Sequence, residues 1–378
     1  EIGHGGTEQY GAFSYKPGFA INPLKFVNGI AKYALSKKLK IFEHTKVNKI
    51  DKENGSYILR TKDGSIRSKK IVVATTAMVG DVVKAVGGDT VTVNVLMGEG
   101  VDPHLYRPRA SDVRAILKAD AVFYNGLHLE GRMAEVLERA SAQGREVVAV
   151  AENISKENQI RIEGEEYPAD PHVWMDANLW KRTIPLVTEV LTRIDPENKA
   201  YYQANAARAT QRYEQLDEYA RQMLETIPQK SRVLVTAHDA FGYFGKAYGL
   251  NVRGIQGINT ESEAGLADIN ELIEFIVVNG IPAVFVESSV SPKNVQALIE
   301  GAAARGHILS IGGELYSDAM GTPGTWEGTY PGMIDHNVNM VSKSLGGSVM
   351  PGGFRSWVKK QGTPSKRGGA EPSVSDDS

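Results

Sequence analysis

The chain has 378 residues, a formal charge of −2, 42% hydrophobic residues, 23% charged residues and no cysteine. This length allows two or three domains with an ample core, and the composition is that of an ordinary soluble protein. A near-neutral charge without a Lys/Arg run argues against nucleic-acid binding, because neutralising phosphates requires a basic patch. The absence of cysteine excludes disulfides, thiolate metal sites and a cysteine nucleophile.

The first block, residues 1–67, predicts a small α+β unit. A helix starting at Asn22 and Pro23 is predicted from their N-cap and first-turn pairing. A strand around Ile41–Ile50 and a second in SYILRT, residues 56–61, follow it. We expect this block to be an appendage, since a helix and a few strands bury little surface alone.

From Ile71 onward the pattern changes to strand, loop and helix in repetition. Apolar strand-like runs lie at Ile71–Thr75, Val91–Leu96, Ala121–Tyr124, Val147–Val150, Val233–Thr236, Val252–Ile255, Ala283–Val286 and Ile308–Ile311. Their alternation with helical patterns is typical of parallel sheets with helical crossovers. The repetition stops and restarts, which predicts two lobes, residues 68–194 and 229–350. The run from Ile71 to Thr75 belongs to the first lobe as an edge or central strand.

A long amphipathic helix is predicted between the lobes, over residues 195–228. Asp195 and Pro196 open it, and apolar residues recur every three or four positions. At 1.5 Å per residue it would span roughly 45 Å and could join the lobes as a spine. Residues 351–378, rich in Gly, Pro, Ser and charge, predict a disordered tail. The predicted fold class is therefore α/β, with two parallel-sheet lobes joined by one long spine helix and an α+β N-terminal appendage.

Three histidines and an aspartate lie where strands of the two lobes should end. His104 follows the strand Val91–Leu96, His172 lies in EYPADPHVWMD, His238 follows the next lobe's first strand, and Asp318 follows its last. Loops at the carboxyl ends of parallel strands are where α/β proteins place ligands. Three imidazoles and one carboxylate form a set that Zn²⁺ or another first-row divalent ion accepts. Each lobe would supply two ligands, so the ion would lie in the cleft between the lobes.

The pattern alone leaves alternatives open. A single histidine is more often a hydrogen-bonded loop or surface residue, and the feature that favours a site is the repetition of DPH before His104 and His172. A metal-dependent hydrolase would also fit such ligands if one coordination position held water and a base such as Glu287 stood beside it.

A resemblance covers residues 70–347 and rests on seven segments that occur in order. They are ATTAMVGDVVKAVGGD, GVDPHLYRPRASDV, ADAVFYNGLHLEG, DPHVWMD, VTAHDAFGYFGKAYGL, VFVESSVSPKNV and GGELYSDAMG. The chain is similar to the zinc- and manganese-binding substrate-binding proteins of ATP-binding-cassette importers, of the three-His-plus-Asp type within cluster A-I. The resemblance implies two lobes bridged by a helix, with metal held between them by His104, His172, His238 and Asp318.

The same resemblance implies a function. We expect a monomeric, catalytically inert protein that captures one Zn²⁺ or Mn²⁺ ion and delivers it to a membrane permease. The location that the resemblance implies is periplasmic or cell-surface anchored, although no signal peptide is visible in the sequence. Manganese-preferring members often have Glu where this chain has His238, and zinc-specialised members often carry a His-rich loop that is absent between Gly131 and Asp170. Nitrogen-rich ligation favours zinc in affinity. Some relatives also act as adhesins, which the sequence does not test.

Other residues are weaker candidates. Possible acceptors for the ligand ring N–H groups are Asp102, Asp176, Asp239 and Glu287, with solvated loop or helix-cap carboxylates as the alternative. Structural or surface roles are expected for His128, His307 and His336, while His44 belongs to the first block. We expect Trp174 and Trp326 to pack in the cleft or core.

Residues 11–77 resemble an internal segment of the flavin-dependent amine and D-amino-acid oxidases. In that family a strand like Ile71–Thr75 ends the segment and returns to the flavin domain. No G-x-G-x-x-G opens a strand-helix unit in this chain, and that motif would hold the flavin pyrophosphate. The sequence therefore argues against FAD and predicts a chimeric N-terminus, with a flavin-dependent oxidoreductase fragment fusion as the alternative function.

Overall fold

The computed structural model describes residues 47–53, 56–61, 65–67, 70–162 and 169–361, with side chains from residue 70 onward. The chain divides into two units, of which the first takes most of the described residues before Ser68 and the second takes everything from Lys69. The predicted helix at Asn22 and Pro23, and His44, lie outside the described residues.

The described part of the first unit is a three-stranded sheet. Its strands are β1 Val47–Glu53, β2 Ser56–Thr61 and β3 Ser65–Arg67, in the order β1-β2-β3. The strand predicted over residues 56–61 is confirmed, and β2 pairs with β3 in antiparallel fashion. The predicted strand over residues 41–50 overlaps β1, and its first residues lie outside the described part.

The first lobe is built on a four-stranded parallel sheet with the order β5-β4-β6-β7. Its strands are β4 Lys70–Ala74, β5 Val91–Val95, β6 Ala121–Tyr124 and β7 Glu146–Ala149. Val73 lies opposite Asn94 on one side and Val122 on the other. The run at residues 71–75 is therefore a central strand of this lobe, and Val72, Val73 and Ala74 are fully buried, whereas Ile71 is 43% exposed.

Helices cover this sheet. They are α1 Ala77–Gly87, α2 Ala110–Lys118, α3 Ala134–Ala142, α4 Ala177–Trp180 and α5 Ile184–Ile194. The first of them starts where the Thr76 hydroxyl accepts the backbone N–H of Val79, which satisfies one of the free donors of a helix start. Val79, Val82, Val83 and Val86 are buried at helical spacing, so one stripe of α1 faces the core.

The predicted spine is α6, Lys199–Glu225, whose 27 residues correspond to about 40 Å at 1.5 Å per residue. Its buried residues are Tyr202, Asn205, Ala209, Tyr213, Leu216, Tyr219, Ala220 and Leu224. Helices from both lobes pack against it, so it joins them. The predicted start of this helix, Asp195, is wrong by four residues, because Pro196–Asn198 forms a separate 3₁₀ turn. The Asp195 side chain accepts the Tyr202 hydroxyl and does not cap backbone N–H groups.

The second lobe repeats the parallel architecture in two pairs. Its strands are β8 Val233–His238, β9 Asn251–Gln256, β10 Ala283–Glu287 and β11 Ser310–Leu315. Strand β8 pairs with β9 and β10 pairs with β11, both in parallel, and β8 lies against β10. The helices are α7 Gly242–Tyr248, α8 Leu266–Asn279, α9 Lys293–Ala304, α10 Tyr330–Ser344 and α11 Gly353–Gln361.

Two predictions in this lobe are wrong. The last strand runs from Ser310 to Leu315 instead of 308–311, and Ile308 is 88% exposed. The predicted disordered tail, 351–378, begins with α11, which buries Phe354 and Trp357, while residues beyond 361 lie outside the described part. The other predicted domain boundaries stay predictions. Within the described residues, no helix combines the length and apolar character needed to cross a membrane.

Candidate metal centre

The structure brings the four predicted metal-site residues together between the lobes. Their candidate ligand atoms all lie within 4.8 Å of one another. His104 comes from the loop after β5 and His172 from the start of a 3₁₀ turn in the first lobe, whereas His238 ends β8 and Asp318 follows β11 in the second. All four are buried, and His104 is the most exposed at 5%. Strand ends of both lobes therefore meet at one point, as the parallel topology predicts.

The spacing of these atoms matches what one cation needs. The Nε2 atoms of His104 and His172 are 3.3 Å apart, and the Nε2 atoms of His172 and His238 lie 3.3 and 3.2 Å from the two Asp318 oxygens. The remaining short distance, from His104 Nε2 to Asp318 Oδ2, is 3.7 Å. Bonds of about 2.1 Å in tetrahedral geometry separate neighbouring ligand atoms by about 3.4 Å. The cluster fits a four-coordinate ion without a change of fold.

Unsatisfied polar atoms point to the same conclusion. Both carboxylate oxygens of Asp318 and the Nε2 atom of His238 are buried without a hydrogen-bond partner. Burying such atoms unpaired is costly, and the cost falls on a carboxylate that faces three rings. A cation at the centre of the cluster would pair all of these atoms at once.

Asp170 orients the His172 ring. Its Oδ1 lies 2.8 Å from His172 Nδ1 and accepts the backbone N–H of the same residue at 2.9 Å. When the ring is neutral, this leaves the Nε2 atom facing the centre with its lone pair available. Sequence reasoning missed Asp170, although it precedes His172 by two residues within the repeated DPH motif that pointed to the site.

Glu287 plays the same part for His238, as predicted. Its Oε2 lies 2.5 Å from His238 Nδ1, and its Oε1 accepts the His238 backbone N–H at 2.8 Å. Glu287 ends β10, which lies beside β8, so adjacent strands deliver the ring and its carboxylate. The other predicted ring acceptors do not have this role.

Asp102 holds the His104 backbone and not its ring. Its Oδ1 accepts the His104 N–H at 2.8 Å. Asp176 caps α4 by accepting the Leu179 backbone N–H, so it has the helix-cap role that was the alternative to binding a ring. Asp239 lies in the wall of a cavity between the lobes and makes no hydrogen bond to any of the three rings in the described part of the chain. Two histidines are thus oriented through their rings and one through its main chain.

A tight loop after β6 supports the His172 segment from behind. Buried Glu130 accepts the Thr75 hydroxyl at 2.7 Å and the Asn125 backbone N–H at 2.8 Å. The amide of Asn125 donates to the Pro171 carbonyl at 3.0 Å. Leu127 in this loop has a φ of 51°, which L-residues adopt at a cost. The loop keeps this conformation because Glu130 binds its backbone.

The electrostatics of the metal-free cluster separate the three histidines. Burial lowers the pKa of His104 to about 3, despite the opposing charge of Asp318. Burial also disfavours charge on His172, but the carboxylates of Asp170 and Asp318 outweigh it and raise its pKa to about 9. For His238 burial is likewise outweighed by Glu287, and its pKa is raised well above the usual value. The pKa of Asp318 is held well below its usual range, because the neighbouring rings overcome the effect of burial.

The remaining histidines and the tryptophans outside the ligand set have the expected roles where the structure describes them. His307 and His336 contact the backbone carbonyls of Ile281 and Glu314, and His128 lines the interlobe cavity. Trp174 is fully buried, packs 5.2 Å from the His172 ring and donates to the Ser317 carbonyl. Trp326 packs under the Arg355 guanidinium.

Most of the chain matches a known protein family. The family model described as "Zinc-uptake complex component A periplasmic" (ZnuA) matches residues 72–344. The chain belongs to this family. Members of the ZnuA family are metal-binding components of transporters. The match to this family begins at residue 72. It therefore leaves the predicted resemblance of residues 11–77 to flavin oxidases untested.

Individual relatives cover the same region. The manganese-binding lipoprotein MntA of Bacillus subtilis is 46% identical over 274 residues, which are 72% of this chain and 89% of that protein. The zinc-binding protein TroA of Treponema pallidum is 45% identical over 285 residues, 75% of this chain and 92% of that protein. The solved structure of the periplasmic TroA superposes with a TM-score of 0.71 and covers 74% of this chain and 99% of that one. The two-lobe fold of this ZnuA-family chain is therefore that of TroA.

Proposed function

We propose that this protein captures one Zn²⁺ or Mn²⁺ ion between its lobes, with His104, His172, His238 and Asp318 as ligands, and delivers it to an importer. The observation that carries the proposal is the buried set of three Nε2 atoms around a carboxylate whose two oxygens have no hydrogen-bond partner. The relatives named for manganese and zinc binding support the choice of cargo.

The ligand set favours zinc over manganese in affinity. Imidazole nitrogen suits zinc, and the stability order of divalent ions places Mn²⁺ well below Zn²⁺ at any such site. Both oxygens of Asp318 face the cluster, so the carboxylate can bind through one oxygen or through both. The second mode gives a fifth bond, which accommodates an ion larger than tetrahedral Zn²⁺.

The direct test is calorimetric titration with Zn²⁺ and with Mn²⁺ of protein stripped by chelator. We expect one ion per chain, and we expect His104→Ala and His238→Ala to weaken binding at least a hundredfold and to remove most of the metal-induced thermal shift. The matched control is His336→Ala, because that ring contacts a backbone carbonyl away from the cluster. Unchanged titrations in both ligand variants would refute the site.

The position of Glu287 argues against the hydrolase alternative. A hydrolase needs a free base beside a metal-bound water, but both oxygens of Glu287 are engaged by His238. We therefore infer a site closed by side chains, suited to holding an ion and not to activating water. X-ray absorption spectroscopy of the Zn²⁺-loaded protein tests this inference. A zinc-bound oxygen that exchanges with solvent would favour the hydrolase alternative.

Delivery would take place outside the cytoplasm, at the permease of an ATP-binding-cassette importer. The family description is periplasmic, MntA is named as a lipoprotein, and PsaA of Streptococcus anginosus is named as a substrate-binding lipoprotein of a manganese ATP-binding-cassette transporter. We propose the same setting for this chain, acting as a monomer. The test is metal uptake into permease-containing vesicles, with and without the loaded protein, together with its mass in solution by light scattering.

A further inference from the structure

His104 differs from the other three ligand candidates in its surroundings. A cavity of about 610 Å³ lies between the lobes, and His104 lines it while His172, His238 and Asp318 do not. Within the described residues, no carboxylate binds the Nδ1 atom of His104, whereas Asp170 and Glu287 bind those of His172 and His238. Its placement therefore depends on the backbone of its own loop, which Asp102 binds.

Asp102 also reaches across to the second lobe. Its Oδ2 accepts the hydroxyl of Thr260 at 2.6 Å, and Thr260 lies in the loop after β9 with 7% of its surface exposed. One carboxylate thus connects the His104 backbone to the opposite lobe through two hydrogen bonds. Asp102 is partly buried, and a hydrogen bond to an ionised carboxylate is among the stronger ones in a protein.

The neighbouring residue makes a second connection of lower strength. Glu261 pairs with Arg132 of the first lobe at 2.7 Å, but the two side chains are 43% and 32% exposed. An exposed ion pair of this kind contributes little because water and salt compete for it. Of these two contacts, the one from Thr260 is therefore the stronger link between the β9 loop and the first lobe.

We propose that Thr260 and Asp102 form an interlobe clasp that positions His104 and sets the rate at which the metal leaves. This rests on the proposed function, since it assigns release control to the same site. His172 and His238 are held by carboxylates on their own lobes, so they stay in place when the lobes separate. His104 is held by a residue bonded to the other lobe, so opening the clasp loosens this ligand first.

The mechanism is one of positioning, since neither Thr260 nor Asp102 is itself a proposed ligand. With the clasp closed, the backbone N–H of His104 is fixed. The Nε2 atom of the His104 ring then stays 3.3 Å from the Nε2 atom of His172. With the clasp open, the loop gains freedom on the side where the cavity gives access to the site. Loss of one such hydrogen bond corresponds to about a tenfold change in rate.

The experiment measures release of Zn²⁺ from the full-length loaded protein into excess chelator by stopped flow. Tryptophan fluorescence is a suitable signal because Trp174 packs against His172. We expect Thr260→Val to release Zn²⁺ about tenfold faster, with Thr260→Ser near the wild-type rate because the hydroxyl returns. The unfolding midpoint of the metal-free protein should change little, and Thr260→Ala replaces the valine variant if that variant folds poorly.

The matched control is Thr322→Val. Thr322 also donates its hydroxyl across the lobes to a carboxylate, that of Glu99, at 2.8 Å, but both residues are exposed and neither binds the His104 backbone. We expect its release rate to equal that of the wild type. Equal acceleration in both variants, no acceleration in Thr260→Val or Thr260→Ala, or no rescue by serine would each overturn the clasp. A wild-type protein that binds no Zn²⁺ or Mn²⁺ would instead refute the proposed function.

Discussion

Replacing Glu287 by glutamine changes the site by one atom while keeping its shape. Glu287 uses one oxygen for the His238 ring and the other for the His238 backbone N–H. Glutamine has only one oxygen, so either the ring or the backbone must face an amide N–H group that cannot accept. The variant therefore loses one hydrogen bond to a charged group and the negative charge behind the ring.

The expected magnitude follows from that loss. A hydrogen bond to a charged group contributes about 1.5–3 kcal/mol, and partners behind metal-binding histidines account for about 10- to 100-fold in affinity. We expect Glu287→Gln to weaken Zn²⁺ binding by about 30-fold at high pH. At lower pH the deficit should shrink, because the carboxylate raises the pKa of His238 and the wild type must displace a proton there to bind metal.

The assay is competition for Zn²⁺ against a chromophoric chelator between pH 6 and pH 9.5. Asp239→Asn is the matched control, since that carboxylate lies in the cavity wall and binds none of the rings within the described residues. Affinity of Glu287→Gln within twofold of the wild type at high pH would refute the reasoning. So would an equal loss in the Asp239 variant, which would indicate a general electrostatic effect in place of ring orientation.

Three further predictions follow from the same geometry. The His172 pKa of about 9 in the metal-free protein means that this ring is protonated at neutral pH. Zn²⁺ affinity should therefore rise with pH up to that value. Calorimetry in buffers of different ionisation enthalpy should detect the proton released on binding. Deleting residues 1–67 should leave Zn²⁺ affinity within about threefold, because the four ligand candidates and their described partners lie beyond residue 70; loss of folding would contradict this. Trp357→Ala should lower the free energy of unfolding by about 3 kcal/mol, because it removes a buried ring. Leu266→Ala should lower it by less than about 0.5 kcal/mol, because Leu266 is 82% exposed. Denaturant titration measures both changes.

Much of the parallel core was predictable because its central strands, such as β6 and β8, are short apolar runs that are almost entirely buried. The run at residues 121–124 matches its strand in full. The last strand was displaced because it contains Gly312 and Gly313, which usually break a strand. In the structure a Cβ at Gly312 would lie 2.8 Å from the Phe285 ring, so glycine is required by close packing, a tertiary fact that local sequence does not carry.

The ligand set was predictable from motifs and resemblance, but the partners of the rings were only partly so. Glu287 was named without a geometric reason, and the reason is the adjacency of β8 and β10. Asp170 was not named, whereas Asp102 at the same place in the other DPH motif was named, although Asp102 accepts the His104 backbone N–H and the Thr260 hydroxyl and does not bind the ring. Two identical tripeptides thus place their aspartates differently, since the ring rotamer depends on what each loop packs against.

In the proposed metal site, the three histidines would have different parts in holding and releasing the ion. His172 and His238 keep carboxylates at their Nδ1 atoms, which makes their Nε2 atoms stronger donors and fixes them in place. They also carry protons in the metal-free state, because their pKa values are raised, whereas the pKa of His104 is lowered to about 3. His104 is therefore a neutral ring that borders the cavity and can meet an arriving cation without losing a proton. Among the described contacts this ring is held through its backbone, so we expect its bond to the metal to be the easiest to break and propose that binding and release proceed through this one ligand.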